Sequence, residues 1–418
     1  MANEVLLFLY NKVNYYLLLY IIIALLLLYI FLVAYIKIKL RFWRTQPVFH
    51  IYNLSYWVKT PGIIEAGLPP TENNKYMNHL NIKTYKIVDS LILDQCCNFI
   101  KNYYAFHSST QTLEVDYRPS KNNIVGHMEG ANHASYISVY QTPQFLFQRG
   151  EMISSVECIK GVISARVLNI SLGASTSAQT FPLYYVDNLC VHPDFRKSGI
   201  APELIQTHYY NLRKNNSKIR TCLFKREGDM TAIVPLTTYD TTIFNVADFI
   251  FPDETALHAA MKVIEIGVPQ LTILVEFIKA RQGEFDCVIL PDITNLANML
   301  KTENIIIYGL MTNGALLSIY VFRNIQLYYN GRRAIECIMA LYSYTKELFI
   351  TGFNIVMGKL KKRVNMDIIL MEDTAHAYGL IDNFKMLGIP VMFQSPTAFF
   401  LYNYACYSVK NRKFMILY

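Results

Sequence analysis

The stretch that decides the fold is "VDNLCVHPDFRKSGIAPELI", residues 186–205. It reads as an apolar strand, a histidine, a short basic corner with one glycine and then, through Ala201-Pro202, a helical pattern. Within the corner, Arg196, Gly199 and Ala201 stand in an R-x-x-G-x-A spacing. A helix start presents backbone N–H groups that lack an intrahelical partner, and its dipole favours negative charge. Gly199 and the small Ala201 let the backbone come close to a ligand, and Pro202 sits where a missing N–H removes no helical bond. Two cations and several N–H groups converging on one point make a diphosphate the natural guest. A solvated basic turn has the same six letters. What raises the pattern above that is its place after an apolar strand and before a helix.

On either side of this corner the elements repeat. "CIKGVISARVLNISL" (158–172) and "TFPLYYVDNLCV" (180–191) alternate like paired strands, joined by the Gly/Ser-rich "GASTSAQ" (173–179), so the helix near Ala201 closes a β-β-loop-α unit. Further on, "NIIIYGLMTNGALLSIYVFR" (304–323) and "RRAIECIMALYS" (332–343) read as a second strand pair, followed by a helix over 347–364 and a strand, "MDIILME", at 366–372. No basic glycine turn follows Ser343, which predicts a duplicated α/β fold with one anion loop and divided labour. Upstream, residues 41–85 read as an extended, Pro-punctuated arm, 86–104 as a helix and 108–136 as a long polar loop. "TPQFLFQ" (142–148) reads as a helix start, with Thr142 as cap and Pro143 in the first turn.

The chain has 418 residues, 53% hydrophobic and 17% charged, enough for one large domain or two ordinary ones. Part of the apolar excess is local: Tyr15 to Ile36 carries no charge. At helical rise it covers about 30 Å, the thickness of a bilayer's hydrocarbon core. Lys37, Lys39, Arg41 and Arg44 follow it while Lys12 stands alone before it. The positive-inside rule then predicts a single-pass membrane protein with residues 1–14 as a non-cytosolic tail, a span over 15–36 and the body in the cytosol. The Met-Ala start makes the chain itself no candidate for N-terminal myristoylation.

The net charge of +8 lies largely in that juxtamembrane cluster and in "KLKKR" (359–363), a solvated helix face before it is a lipid or phosphate site. Basic and aromatic residues do not interleave, so nucleic acid is not an expected partner. Eight scattered cysteines without a C-x-x-C pair, and nine histidines without ligand spacing, predict reduced thiols and no metal. Abundant Ile, Asn, Lys and Tyr point to an AT-rich genome, a viral one among the candidates.

The residues also carry a resemblance. R-x-x-G-x-A in this setting resembles the acyl-CoA pyrophosphate loop of the GNAT acyltransferases. "NLCVHPDFRKSGIAPELI" is similar to the segment of protein N-myristoyltransferases (glycylpeptide N-tetradecanoyltransferases) that runs from their oxyanion hole into the CoA loop. "RFWRTQPV" (41–48) resembles that family's Phe-Trp-x-Thr-Gln-Pro-Val signature, and "GVISARVLNI" (161–170) its strand before the CoA-binding strand. "TPQFLFQ" is similar to its Ser-Pro-Glu-Phe-Leu helix start, and "MDIILME" and "FLYNYACYSVKNRKFMILY" (400–418) to its last strands and tail. These anchors fall in family order from residue 41 to 418, whereas 108–136 and 206–345 match poorly.

The resemblance implies a duplicated GNAT-like acyltransferase fold of α/β (α+β) class with two mixed-sheet halves: 37–230 for acyl-CoA, and 231–418 for peptide and the C-terminal carboxylate. It implies transfer of a myristoyl or similar acyl group from myristoyl-CoA to the N-terminal glycine of proteins, a step in lipoprotein biosynthesis. It assigns oxyanion donors to the backbone amides of Asn188 and Leu189, and general-base duty to the main-chain carboxylate of Tyr418. Val191, Arg196, Lys197, Ser198, Gly199, Ile200 and Ala201 would hold the CoA, and Arg41, Phe42 and Trp43 its head and the acyl donor. On composition alone, Phe42-Trp43 beside a span is an interfacial anchor, Asn188-Leu189 a core strand, and "KFMILY" a packed terminal strand.

The sequence departs from the family in three places. Asn188 stands where Phe is usual, and Asp187 where the family has Asn. Phe224-Lys225-Arg226 replaces its Thr-Ala-Gly, with Thr221 or Thr231 as substitutes if the register slips. Catalytic impairment with retained acyl-CoA or peptide binding, or a GNAT transferase of other acyl or acceptor specificity, are the alternatives.

Overall fold

Residues 2–39 form one continuous helix, α1 (Ala2–Lys39), because nothing between them breaks it and Lys37 and Lys39 suit its negative end. The computed structural model describes residues 2–87, 90–104, 115–148, 151–173, 178–228 and 231–418. These fall into two compact units, Met1–Lys59 with Ala232–Val234, and Thr60–Thr231 with Pro235–Tyr418. In the first, Tyr15–Lys39 is long and apolar enough to cross a membrane, with a mean hydropathy of 3.1 and none of its window buried. A short 3₁₀ turn, Trp43–Thr45, follows it, and His50 bridges to Ile233.

The second unit opens with β1 (Gly62–Ile63), β2 (Ile82–Lys86), α2 (Ser90–Tyr103), β3 (Val115–Tyr117) and α3 (Lys121–Val125). Three long strands, β4 (Tyr136–Gln148), β5 (Glu151–Leu172) and β6 (Gln179–Val191), lead into α4 (Ile200–Asn215), β7 (Cys222–Glu227) and β8 (Thr237–Asn245). The order then recurs. β9 (Met261–Ile266), α5 (Leu271–Arg281), β10 (Cys287–Leu290) and α6 (Ile293–Lys301) precede β11 (Ile305–Thr312), β12 (Ala315–Tyr329) and β13 (Arg332–Tyr342). α7 (Lys346–Val364), β14 (Ile368–Glu372), α8 (Tyr378–Met386), β15 (Val391–Tyr402), β16 (Tyr404–Ala405) and β17 (Phe414–Ile416) follow.

One mixed sheet carries both halves, in the order β17-β10-β5-β6-β7-β15-β8-β14-β13-β12-β11-β9. Each half contains one parallel crossover, β6–α4–β7 and β13–α7–β14, and the second half's β15 lies beside β7 of the first, while β8 lies beside β14. Period-two patterning splits the core between the sheet's faces. Along β12, Ile319 and Val321 join α5, α6 and Phe414–Tyr418, whereas Tyr320 and Phe322 join Phe349 and Phe353 of α7 and Phe384 of α8. The expected mixed-sheet, duplicated α/β class is the one observed.

Three local expectations are corrected. Residues 142–148 are strand, not a helix start: from Thr142 onward β4 pairs only with β5, so Pro143 faces an edge where its missing N–H breaks no ladder. The run 304–323 is two strands, because Asn313-Gly314 takes positive φ at both positions (48° and 82°) and closes a tight hairpin. The arm and the polar loop are not wholly irregular: the arm ends in β2, and 115–125 supplies β3 and the Ser120-capped α3. Residues 108–114 of that loop and 174–177 of "GASTSAQ" lie outside the described residues. The "KLKKR" face is solvated and paired, Lys359 with Glu254 and Arg363 with Glu265 and Glu303.

Candidate active site

The site is built on the β5–β6 pair. Val162 pairs with Cys190 and Ser164 with Asp187, so Asn188 and Leu189 together oppose one residue, a β-bulge. Asn188 takes the extra bend with φ of 55°, a conformation asparagine tolerates better than most residues, and Leu189 is turned partly outward, 38% exposed. The bulge is knitted by polar contacts: the Asn188 amide donates to Asp187 Oδ1 at 2.7 Å, and Asn188 Nδ2 to Ser164 Oγ at 2.9 Å. Ser164 Oγ in turn donates to the Asp187 carbonyl at 3.2 Å. The Asn188 N–H, one of the two expected oxyanion donors, is therefore given to the neighbouring carboxylate.

Beyond Val191 the basic corner forms as a turn with two left-handed residues, Lys197 (φ 65°) and Gly199 (φ 93°), the second being the N-cap of α4. A side chain at Gly199 would meet open space, so it is the backbone conformation that calls for glycine. Ile200 and Ala201 start the helix as expected. The two cations separate in role. Arg196 spends its guanidinium on carbonyls, Nε to Val191 at 3.1 Å and Nη2 to Tyr103 at 3.0 Å, which ties the turn to the end of α2. Ser198 Oγ donates to the Phe195 carbonyl. Lys197 is exposed and makes no ion pair among the described residues. Arg41, Phe42 and Trp43 belong to the other unit, where the Phe42 and Trp43 rings meet edge to face at 5.0 Å.

A cavity of about 660 Å³ opens beside the bulge. Ser164, Asp187 and Asn188 line it from one half, and Arg323 and Glu336 from the other. Of the segment that replaces Thr-Ala-Gly, Lys225 and Arg226 line it, followed by Glu227 and Gly228, and Phe224, Thr221 and Thr231 do not. The basic turn does not line it either.

The floor of the cavity is an ion network. Lys225 Nζ lies 2.8 Å from Glu227, 3.2 Å from Glu336 and 2.7 Å from Glu372. Arg323 holds the other oxygen of Glu336 through Nη2 at 2.5 Å and Nε at 2.8 Å. Burial alone lowers the Lys225 ammonium, but the three carboxylates reverse this and keep it charged. Burial likewise pushes Glu336 up, yet Arg323 and Lys225 overcome it and hold the carboxyl at about 2. Glu372 receives less compensation, and burial raises it to about 7.

Tyr418 is fully buried against this network. Its ring lies 5.3 Å from that of Tyr185, three residues before Asn188, with the Arg323 guanidinium 4.4 Å over it, and its phenol donates to Glu372 Oε1 at 2.9 Å. Strand β17 brings it there by pairing with β10, and the Leu417 amide donates to the Ile289 carbonyl.

The structure thus brings Asn188, Lys225, Tyr418 and the second half's Arg323, Glu336 and Glu372 to one place. Sequence reading missed the last three. Each is a charge that follows apolar strand residues, and nothing local distinguishes such a charge from a solvent-facing one.

No family model matches the chain, and no curated protein matches it. Solved structures do. Saccharomyces cerevisiae N-myristoyltransferase with bound myristoyl-CoA aligns at a TM-score of 0.62 and 15% identity, covering 89% of this chain and 94% of that one. A second structure of the yeast enzyme with myristoyl-CoA aligns at 0.63 and 15%, covering 89% and 90%. A third, with myristoyl-CoA and inhibitors, aligns at 0.62 and 16%, covering 89% and 91%. At such identity the likeness is one of fold: the chain has the N-myristoyltransferase fold.

Proposed function

We propose that this protein is an acyl-CoA-dependent N-acyltransferase that moves a myristoyl or similar fatty acyl group onto the N-terminal glycine of a protein or peptide. The observation that carries this reading is the bulge at Asn188–Leu189 opening onto the cavity, at the position the sequence resemblance assigns to the oxyanion site. The acceptor's amine attacks the thioester carbonyl, the C–N bond forms, the C–S bond breaks, and CoA leaves as the thiol. Backbone amides aimed at the developing oxyanion typically contribute about 3 kcal/mol each. The acceptor's ammonium must first lose a proton, since an α-amine has a pKa near 8. In a polypeptide terminating at Tyr418, the main-chain carboxylate is the proposed acceptor of that proton, and the burial of this residue against Tyr185 supports the role. Val191 and the turn from Arg196 to Ala201 are the proposed seat of the CoA phosphates, with Lys197 the cation free for them and Arg196 shaping the turn. Arg41, Phe42 and Trp43 are proposed to contact the CoA head, and α1 to anchor the enzyme in a membrane with its body in the cytosol.

A second reading has its own observation. The Asp187 carboxylate already takes the Asn188 amide, which suits a protein that binds acyl-CoA without turnover. One experiment separates the two: mass spectrometry of Gly-start peptides incubated with the purified protein and myristoyl-CoA. The transferase reading expects an acylated peptide, and a 20-fold or greater loss of turnover, with acyl-CoA binding kept, when residues are appended after Tyr418. Acyl-CoA binding with no acylated product supports the second reading and overturns the first.

A further inference from the structure

Among the cations on the cavity wall, two are held by carboxylates. Lys225 meets three carboxylates and Arg323 meets Glu336. Arg166 on β5 lines the same cavity, is only 4% exposed, and makes no ion pair among the described residues. Its Nη1 reaches the His127 carbonyl at 3.5 Å and Met299 Sδ at 4.0 Å, its guanidinium lies 5.1 Å over the Tyr185 ring, and its Nε has no hydrogen-bond partner. His127 cannot answer the charge, since an imidazole is neutral or cationic, and burial with the neighbouring Arg166 and Arg323 cations drives it towards the neutral form. Asp187 favours the Arg166 charge through space but makes no ion pair or hydrogen bond to it, its Oδ1 taking the Asn188 amide.

A guanidinium cannot shed its proton in a protein, and burying a charge without a partner costs several kcal/mol. Between Ala165 and Val167, both buried, an apolar residue would fill the position at no such penalty. The lone charge therefore makes sense as half of a pair whose other half is a ligand. The planar fork of arginine suits a carboxylate. The proposed CoA-phosphate turn does not line this cavity and a fatty acyl chain is apolar, so an anion entering here comes with the acceptor.

We propose that Arg166 binds a carboxylate of the acyl acceptor, which makes the acceptor class a peptide with an acidic group close behind its N-terminal amine. This rests on reading the cavity as the acceptor site. Arg166 is two strand residues, about 7 Å, from Ser164 at the bulge, so an acidic side chain at acceptor position two, three or four fits. So does the α-carboxylate of a very short acceptor.

The test is isothermal titration of the full chain in detergent, saturated with a non-hydrolysable myristoyl-CoA thioether. The probes are glycyl pentapeptide amides carrying Asp or Asn at position two, three or four, and Gly-Ala as free acid or amide. The wild type should bind one acid at least tenfold more tightly than its neutral twin. A preference within the pentapeptides identifies a side chain as the source, and one confined to Gly-Ala identifies the α-carboxylate. In Arg166→Met and Arg166→Leu the ratio should fall to about one, with thioether affinity unchanged and a melting temperature equal to or above wild type. Ratios near one for every wild-type pair, a ratio that survives in both variants, or a lowered melting temperature in both would each overturn the proposal. Selective binding without an acylated product in the mass-spectrometric assay would instead overturn the transferase reading and leave the anion site standing.

Discussion

Glu372 ends the apolar strand β14 with no exposure to solvent, its Oε1 shared between Lys225 and the Tyr418 phenol and its Oε2 without a partner. Burial raises its carboxyl from the ordinary 4.5 to about 7, while Glu336, which shares Lys225 but also holds Arg323, is kept at about 2. The two carboxyls therefore bias stability in opposite pH windows. Glu336 favours the fold above pH 4.5, a contribution lost as pH falls through about 2. Glu372 binds its proton more tightly in the folded state, so its contribution is complete below 4.5 and is lost as pH rises through about 7. The slope in that window reaches at most about 1.4 kcal/mol per pH unit. Glu372→Gln, which keeps a neutral group there at every pH, should flatten the fall in urea-unfolding stability between pH 5 and 7; a variant with the wild-type slope would put the raised carboxyl elsewhere. The sequence gives little warning of such residues. The charges in "ISARVLN", "IYVFRN" and "AIECIM" would suit an outward-facing strand position equally well, and only the second half packing over the first turns them inward.

At the scale of elements, the unit from β6 through the turn to α4 was the most legible part of the chain, because its signals are local: an apolar strand, a glycine needed at positive φ, and a proline inside a helix start. The bulge was less so. It is a register shift between two strands, visible only in which residues pair, and the strand residues alone do not encode it. At 142–148 the reading failed because Thr-Pro is a good helix start in isolation, whereas the tertiary edge of β4 accommodates the proline as strand. The turn itself makes a prediction that distinguishes its two cations. Arg196 bonds two carbonyls, whereas Lys197 has no anionic partner among the described residues. Arg196→Ala should thus lower stability by about 1 kcal/mol as well as weaken acyl-CoA binding. Lys197→Ala should leave the melting temperature unchanged and raise the acyl-CoA Kd about tenfold, roughly 1.4 kcal/mol. Equal loss of stability in both variants would show that the turn is a structural corner and not an anion seat.

Across the whole molecule, the repeat of strand pair, crossover helix and parallel strand marks two halves, but not how they join. The first half's β5-β6-β7 is flanked on both sides by strands of the second, β10 on one side and β15 on the other, while β8 pairs with β14. These contacts link residues well over 100 positions apart, and propensity carries no information about them. Such interleaving makes the body one folding unit with its own cores, which among the described residues take in Ile63 of β1 but no residue of the run from Tyr15 to Ile36. The run from Tyr15 to Ile36 is apolar on every side, and its leucines and its isoleucines up to Ile30 are exposed, while Ile36 at its end is buried. A helix that leaves so much apolar surface exposed finds its favourable solvent in lipid, where each leucine or isoleucine at the centre contributes about −0.3 to −0.6 kcal/mol. Removing residues 1–36 should therefore leave the melting temperature of the body within about 2 °C of the full chain's, while moving the protein from the membrane pellet to the supernatant on fractionation. A truncated protein that still sediments with membranes would give the anchoring role to another surface. One that no longer melts cooperatively would show that α1 belongs to the fold.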